Sequence, residues 1–195
     1  MARPREFDRT EALQKATKVF WDKGYAATST DHLLKEMNIG RQSLYNAFGD
    51  KRKLYLEALE SYQDTTVAGH VRRLTDAESP LEGIRQLLAG IAPEDDELRS
   101  LGCLGVGSVS EFGPADPELA RLRDRTNRIL GEEVSTRIRA AQALGEIDES
   151  VDVADATGFV LLTMTGLQVS ARAGADVASM RRQADFAVDR LAARS

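Results

Sequence analysis

Residues 28–48, "TSTDHLLKEMNIGRQSLYNAF", carry two short runs of regularly spaced apolar side chains around a brief polar break. In the first run, Leu33, Leu34 and Met37 recur at helical spacing after three hydroxyl side chains that can cap a helix. Asn38 follows, and asparagine tolerates the positive φ of a tight turn. The stretch therefore predicts two short helices joined by a turn of about three residues.

The second of these helices has an apolar and a polar side. Ile39, Leu44 and Phe48 anchor it, while polar side chains face outward. Such a helix fits the DNA major groove, where Arg can pair with guanine and Gln or Asn with adenine. The alternative is a small polar helix on an ordinary bundle. The residues expected at base edges are Arg41, Gln42 and Asn46, and those expected at phosphates are Thr30, Ser43, Tyr45 and Lys51.

Charge is distributed unevenly along the 195 residues. Residues 1–56 contain 11 Lys and Arg against 7 Asp and Glu, a net of +4, whereas residues 57–195 contain 15 against 24, a net of −9. A basic segment suits a polyanion such as nucleic acid, although a solvated helix face has a similar composition. Arg3 and Arg5 precede the first predicted helix and either add minor-groove or phosphate contacts or belong to a disordered tail.

Helical spacing continues through the rest of the chain, and strand patterns are nearly absent, so we expect an all-α protein. Capping residues mark several helix starts, and glycines mark several ends. The expected helices run from Asp8 to Gly24, from Asp50 onward, from Ser79 to Gly90, from Leu101 to Phe112, from Asp116 to Gly145, from Val151 to Ala173 and from Val177 to Ala193.

The segment from Arg9 to Leu54 resembles the N-terminal domain of TetR-type one-component regulators. The motif elements are Phe20, the Gly24-Tyr25 pair, Thr28 to Thr30, the Leu44-Tyr45 pair, Phe48 and Lys51. This resemblance implies a homodimeric DNA-binding regulator, usually a repressor, that an effector releases from a palindromic operator. Two positions depart from the family pattern: Asn38 and Gly40 stand where Gly and Ser or Thr are more common, so we expect a weaker cap on the recognition helix.

The resemblance also predicts two domains. Residues 1–56 would form the helix-turn-helix DNA-binding domain, and residues 57–195 would form a helical domain for effector binding and dimerisation. In TetR-like proteins the last two helices form the dimer interface as a four-helix bundle. A stripe of mostly small residues suits that role, and internal packing within one subunit is the alternative. The stripe consists of Gly158, Leu162, Gly166 and Ser170.

Cys103 lies in the run "GCLGVGSVSE", which resembles the segment where electrophile-sensing, N-ethylmaleimide-responsive TetR-type regulators carry their sensor cysteine. By this resemblance Cys103 would be a reactive thiol. Reactivity requires exposure and a helix N-terminus or a nearby cation, which Arg99 would supply. Alternatively, Cys103 is a small buried side chain at a helix contact.

A conventional effector pocket would lie within the acidic domain. Its ligand cannot be named, because apolar pockets with a few polar groups accept many molecules. Plain core packing is the alternative role for each lining residue. The residues expected to line this pocket are Tyr62, Phe112, Phe159, Met164 and Gln168.

Several other classes of protein are disfavoured by the sequence. The sequence has one cysteine, and its two histidines, His32 and His70, stand alone, so we expect no metal site. It contains no cofactor motif either, so we expect no cofactor. The serines lack a GxSxG elbow, so we expect no enzyme. Without an apolar run of about 18 residues or a leader, we expect a cytoplasmic protein that does not enter a membrane. A helical protein–protein adaptor without DNA binding is the alternative function.

Overall fold

A computed structural model describes residues 7–193, and across them the chain forms ten α-helices and no β-strand. This confirms the all-α prediction, with three short N-terminal helices followed by a larger helical domain. Arg3 and Arg5 lie outside the described residues. The helices are α1 (Arg9–Lys23), α2 (Thr30–Met37), α3 (Arg41–Phe48), α4 (Lys51–Thr75), α5 (Pro80–Ala89), α6 (Asp96–Ser100), α7 (Leu104–Phe112), α8 (Pro117–Ala143), α9 (Val153–Arg172) and α10 (Val177–Leu191).

Local capping chemistry fixes several of these helix ends, as the sequence predicts. The Asp8 carboxylate accepts hydrogen bonds from the first backbone N–H groups of α1, and Asp116 does the same at α8. Ser79 caps α5 in front of a proline at the first helical position. Gly24 ends α1 with a φ of 77°, a conformation that costs a glycine little.

The first three helices pack on the N-terminal half of α4 around an aromatic core. Phe20 and Tyr55 are fully buried, and their ring centroids lie 5.0 Å apart in an edge-to-face arrangement. Helices α7 and α8 also contribute to this core through Leu104, Leu119 and Leu122. The helix-turn-helix unit is therefore closed by side chains from the second half of the sequence.

The second core lies among α5, α8, α9, α10 and the C-terminal half of α4. Its buried side chains are aliphatic residues and methionines, with Ile84, Val134 and Val160 completely enclosed. Helix α4 runs unbroken from Lys51 to Thr75 and contributes to both cores. The division of the chain at residue 56 stays a prediction, since that position lies inside this continuous helix.

Helix α7 begins three residues later than the sequence pattern suggests. The predicted start was Leu101, but Gly102 adopts a φ of 62° and breaks the helix there. A Cβ atom on Gly102 would lie 2.9 Å from the Cβ of Arg172, so the close approach of α9 requires glycine. Cys103 consequently occupies the N-cap position of α7 instead of a place within its first turn.

Candidate functional site

Helices α2 and α3 form a helix-turn-helix whose geometry follows from its turn. Ser29 caps α2 by accepting from the backbone N–H of His32 at 3.1 Å. Asn38 ends that helix in the left-handed region, with a φ of 55°. Gly40 then occupies the N-cap of α3, and no side chain caps that helix. The family departure at Gly40 thus has the expected structural effect, because one orphan backbone donor is left to solvent or to a ligand.

Helix α3 is fixed on one side and open on the other. Leu44 and Phe48 are buried in the aromatic core, whereas the opposite face is exposed. On that face the Gln42 side-chain amide donates to Oδ1 of Asn46 at 2.9 Å, one helical turn away. Arg41, Gln42, Tyr45 and Asn46 are all classed as exposed, so four of the seven predicted DNA contacts share this surface.

Arg41 is held by an ion pair that crosses the turn. Its Nη2 donates to the carboxylate of Asp31 on α2, and both side chains are largely exposed. Exposed pairs of this kind contribute about 0–1 kcal/mol, because solvent competes for both partners. The guanidinium can therefore exchange Asp31 for another acceptor at little cost.

The other three predicted contacts lie at the edges of this surface. Thr30 is the first residue of α2, and Ser43 lies in α3, both half-buried. Lys51 is the first residue of α4, and its Nζ lies 4.1 Å from the centre of the Tyr25 ring. Burial lowers the pKa of Lys51, while the Glu111 carboxylate nearby opposes that effect.

A cavity of about 300 Å³ lies between α4, α7, α8 and α9. Four of the six predicted effector residues line it, so segments distant in sequence meet here. These four residues are Tyr62, Cys103, Met164 and Gln168. The remaining lining residues are Gln63, Thr66, Val67, His70, Gly105, Val106, Val109, Ser110, Arg123, Thr126, Asn127, Leu130, Leu161 and Thr165.

The structure corrects the expected position of the other two residues. Phe112, at the end of α7, packs into the N-terminal core with its ring centroid 5.2 Å from that of Tyr25. Phe159 lies on the outer face of α9 and is exposed, because Val160 and Met164 occupy the inward face. Neither phenylalanine belongs to the cavity wall.

Cys103 lies where the cavity wall meets the N-terminus of α7, and it is half-buried. A Cβ atom built on Gly105 would be 3.5 Å from its Sγ and equally far from Nε2 of Gln63, so both groups face one small space. Tyr62 is a close neighbour as well. Burial, followed by the proximity of Cys103, raises the pKa of Tyr62.

The N-terminal end of α7 is tied to the helix-turn-helix unit by two side chains. Trp21 on α1 donates its indole N–H to the carbonyl oxygen of Gly102 at 3.2 Å. Arg172 on α9 donates to the carbonyl oxygens of Leu101 at 3.2 Å and Asp22 at 2.9 Å. The loop that carries Cys103 is thus held between α1 and α9.

The C-terminal end of α7 is tied to the same unit through Glu111. Its carboxylate accepts from the backbone N–H of Tyr25 at 2.8 Å and of Ala26 at 3.2 Å, in the turn between α1 and α2. Since Lys51 packs over Tyr25, this contact lies next to a predicted phosphate ligand. Sequence reasoning missed Trp21, Glu111 and Arg172, because these contacts join positions 71 to 150 residues apart.

A second omission is His70, which is buried and lines the cavity. Burial, with the charge of Arg73 as the second cause, lowers the pKa of His70 to about 4. Its spacing from Tyr62 and Thr66 places all three on one face of α4, and that periodicity was the available signal.

An apolar surface on α9 and α10 is not covered by any of residues 7–193. Leu162 is 74% exposed and Phe186 is 62% exposed, and nothing lies within 4 Å of a Cβ built on Gly158 or Gly166. Within the described residues, internal packing therefore leaves Gly158, Leu162 and Gly166 of the small-residue stripe open. Helix α9 is long and apolar enough to span a membrane by composition alone, and 28% of its most apolar window is buried.

Comparisons with known proteins agree with this architecture. The family model for bacterial regulatory proteins of the tetR family matches residues 12–58. YezE of Bacillus subtilis (strain 168), an uncharacterized HTH-type transcriptional regulator, is 32% identical over 193 residues, covering 98% of this chain and 100% of YezE. The HTH-type transcriptional repressor ComR of Escherichia coli (strain K12) is 29% identical over 177 residues, covering 90% of this chain and 84% of ComR. A cysteine-substituted mutant of the TetR-family regulator CifR, solved with 26-bp double-strand operator DNA, has a TM-score of 0.79 at 29% identity, covering 96% of this chain and 98% of that one.

A polar-faced recognition helix joined to a larger helical domain defines a helix-turn-helix transcription regulator. Its relatives are regulators and not enzymes. The chain belongs to the TetR family of transcriptional regulators, as its N-terminal motif predicts.

Proposed function

We propose that this regulator is a cytoplasmic, homodimeric repressor that leaves a palindromic operator when a small molecule or an electrophile occupies its C-terminal domain. The observation that carries the proposal is the exposed face of α3, which presents Arg41, Gln42, Tyr45 and Asn46 to solvent. The opposite face of the helix is anchored by buried side chains. The name of ComR, a repressor, and the operator complex of CifR support the same direction of regulation and the same partner.

In the DNA complex, Arg41, Gln42 and Asn46 contact base edges. The bond between Gln42 and Asn46 orients both amides before DNA arrives, and an adenine edge replaces it. Thr30, Ser43, Tyr45 and Lys51 contact phosphates and fix the register. Operator affinity should fall steeply with salt, because these contacts release counterions.

A palindrome has two half-sites, so two copies of α3 are needed to bind it. The second copy comes from a partner subunit that packs on the uncovered face of α9 and α10. Leu162 and Phe186 are large apolar side chains that stay exposed in the monomer. An exposed apolar patch of this kind marks a site of protein–protein contact. The flat surface at Gly158 and Gly166 lets a second α9 approach closely. Dimerisation through the last two helices then spaces the two recognition helices about one DNA turn, or a multiple of it, apart.

Effector occupancy is coupled to DNA through α7. This helix lines the cavity and is bonded to the helix-turn-helix unit at both ends, through Gly102 and through Glu111. A ligand that binds better when α7 is displaced stabilises a dimer with wrongly spaced recognition helices, in proportion to its differential affinity.

An electrophile can also occupy this cavity by forming a covalent bond with the Cys103 thiol. With a maleimide, the thiol sulfur adds to one alkene carbon and the thiol proton ends on the neighbouring carbon, so nothing leaves. The adduct occupies the space that Sγ shares with Gln63 and pushes on the start of α7.

The test is footprinting on the DNA that flanks the protein's own gene, with and without N-ethylmaleimide. Wild type should protect a palindrome and lose it on alkylation, whereas Cys103→Ser should protect it under both conditions. Release in both proteins would remove the thiol sensor and leave the repressor. A protein with no preference over random competitor DNA would instead be the helical adaptor.

A further inference from the structure

His70 lies in the C-terminal part of α4 and borders two cavities. One is the effector cavity, and the other, of about 240 Å³, shares Tyr62, Thr66, Cys103 and Gln168 with it. His70 is 5% exposed, and its Nε2 makes no hydrogen bond within the part of the chain that the structure describes. A buried polar atom without a partner is costly and calls for an explanation.

The neighbours of His70 determine which nitrogen carries the proton. Nδ1 lies 3.4 Å from Nη1 of Arg73. A guanidinium can only donate, so Nδ1 is the acceptor and the proton resides on Nε2. Burial keeps the ring neutral, since the pKa is lowered to about 4. Nε2–H is therefore a buried hydrogen-bond donor with no described acceptor, on a side chain that borders both cavities.

The charged residues around both cavities are of one sign. Arg123 lines the effector cavity, and Arg73 and Arg99 line its neighbour; the described lining of the two contains no carboxylate. Arg123 already lies 3.7 Å from Asp124, and Arg99 donates to Asp96 and to backbone carbonyls. A cationic ligand would find no counter-charge here, and in the effector cavity an anion would have to compete with Asp124 for Arg123.

We propose that the effector is a neutral, largely apolar molecule bearing a carbonyl oxygen, and that this oxygen accepts a hydrogen bond from Nε2 of His70. This assignment rests on the proposed function, because it names the ligand class of the same effector cavity. Apolar side chains such as Val67, Leu130 and Leu161 cover the body of the molecule, while Gln63 and Gln168 stand beside the carbonyl.

The size of the cavity suits a molecule of about two fused rings. An apolar cavity of about 150 Å³ accepts benzene, so about 300 Å³ suits a bicyclic skeleton. Four compounds share one such skeleton and differ in their polar group. They are 1-tetralone with a ketone, tetralin with no polar group, 1-aminotetralin with an amine and 1,2,3,4-tetrahydro-1-naphthoate with a carboxylate. None of them alkylates a thiol, so Cys103 does not enter the comparison.

Dissociation constants are measured by calorimetry on the DNA-free protein. We expect 1-tetralone to bind about 3- to 10-fold more tightly than tetralin, which is the effect of one hydrogen bond in a protected site. The amine should bind most weakly. Equal affinity for ketone and hydrocarbon, no binding of the ketone, or tighter binding of the amine or the carboxylate would overturn the assignment.

Variants identify His70 as the donor. His70→Leu should abolish the preference for the ketone over the hydrocarbon, and His70→Gln should keep it, because glutamine retains an N–H donor. His32→Leu, at the other histidine and away from this cavity, should behave as wild type. A ketone preference that survives in His70→Leu would assign the hydrogen bond to another residue and overturn the proposal.

A measurement on wild type covers the case in which His70 variants fail to fold. Wild type should give two sets of histidine ring signals, and the set that remains in His32→Leu belongs to His70. Its ¹⁵Nε2–H signal should shift with 1-tetralone but not with tetralin. An unmoved signal would overturn the proposal. These measurements need no DNA, so their failure is separate from a failure of the footprinting experiment.

Discussion

The two hydrophobic cores of this regulator are built from different side chains. In the core beneath α3, the rings of Phe20, Tyr25, Tyr55 and Phe112 pack with centroids 5.0 to 6.3 Å apart. The described buried residues of the C-terminal core are aliphatic side chains and methionines, with no aromatic among them. Rings have few rotamers and preferred contact geometries, so the first core holds α3 in one position.

Buried polar groups occur in both regions but are arranged differently; the Tyr55 hydroxyl in the first core and Nε2 of His70 both lack a described hydrogen-bond partner. Thr28 in the N-terminal unit donates to the carbonyl oxygen of Gly24 at 2.6 Å, so its hydroxyl is satisfied. The C-terminal domain buries Gln63, His70 and Gln168 around a cavity instead. The N-terminal helices with their aromatic core are thus attached to a helical domain that contains a cavity, and α7 contacts both.

The largest effect is expected from breaking the aromatic core. Phe20→Ala removes a fully buried ring that contacts both Tyr25 and Tyr55, and it should lower the free energy of unfolding by about 3–5 kcal/mol. Urea denaturation measures this loss. Leu144→Ala, at an exposed site at the end of α8, is the control and should change stability by less than about 0.5 kcal/mol. Comparable losses in both variants would mean that the ring packing is not what holds the unit together.

The free energy of unfolding should depend on pH through His70, beside the C-terminal core. The pKa of His70 is about 4 in the folded chain against an ordinary 6.5, so the unfolded chain takes up the proton first as pH falls. The stabilising effect of a neutral His70 is complete above about pH 6.5 and is lost as pH falls toward 4. Between about pH 7.5 and about pH 4.5, His70 should account for roughly 2 to 3 kcal/mol of lost stability.

Urea titrations at both pH values test this. His70→Leu should lose less stability on acidification than wild type by that amount, and His32→Leu should follow wild type. Identical acid sensitivity in wild type and His70→Leu would show that His70 is protonated as easily in the folded chain as in the unfolded one.

Sequence alone predicted the parts of this structure that depend on near neighbours. Asp8, Ser79 and Asp116 cap helices through bonds to residues two or three positions away, and Asn38 adopts its left-handed turn for local steric reasons. The late start of α7 was missed, because Gly102 turns the chain where it packs closely against Arg172, a residue 70 positions away.

The candidate site divides in the same manner. The polar face of α3 follows from helical periodicity, so its four exposed residues could be named in advance. Lining of the cavity depends on how four helices meet, which explains why Phe112 and Phe159 were misplaced and His70 was overlooked. Whether the named residues bind DNA and effector stays a prediction.

A third prediction separates base recognition from phosphate anchoring on the rigid unit. Arg41→Ala should weaken operator binding by about 1–3 kcal/mol and relax the preference at one base position in each half-site. Lys51→Met should weaken all DNA sequences alike and reduce the salt slope by about one for each subunit. Gel-shift titrations at several salt concentrations, on the operator and on single-base variants, distinguish the two. Uniform weakening in Arg41→Ala would place that side chain on a phosphate.

The smallest effect is expected at the link between the two regions. Trp21→Phe keeps a ring against Tyr62, 4.8 Å from its centroid in wild type, but removes the N–H that donates to Gly102. One such bond contributes about 0.5–1.5 kcal/mol, so the global stability should fall only by that amount. Coupling should change more visibly than stability, because Arg172 then supplies the remaining described side-chain hydrogen bonds between α1 and the loop that carries Cys103. The ratio of operator dissociation constants with and without N-ethylmaleimide should therefore be smaller in Trp21→Phe than in wild type. If that ratio is unchanged while stability falls as expected, the signal passes through Glu111 at the other end of α7, and the variant Glu111→Gln should reduce the ratio instead.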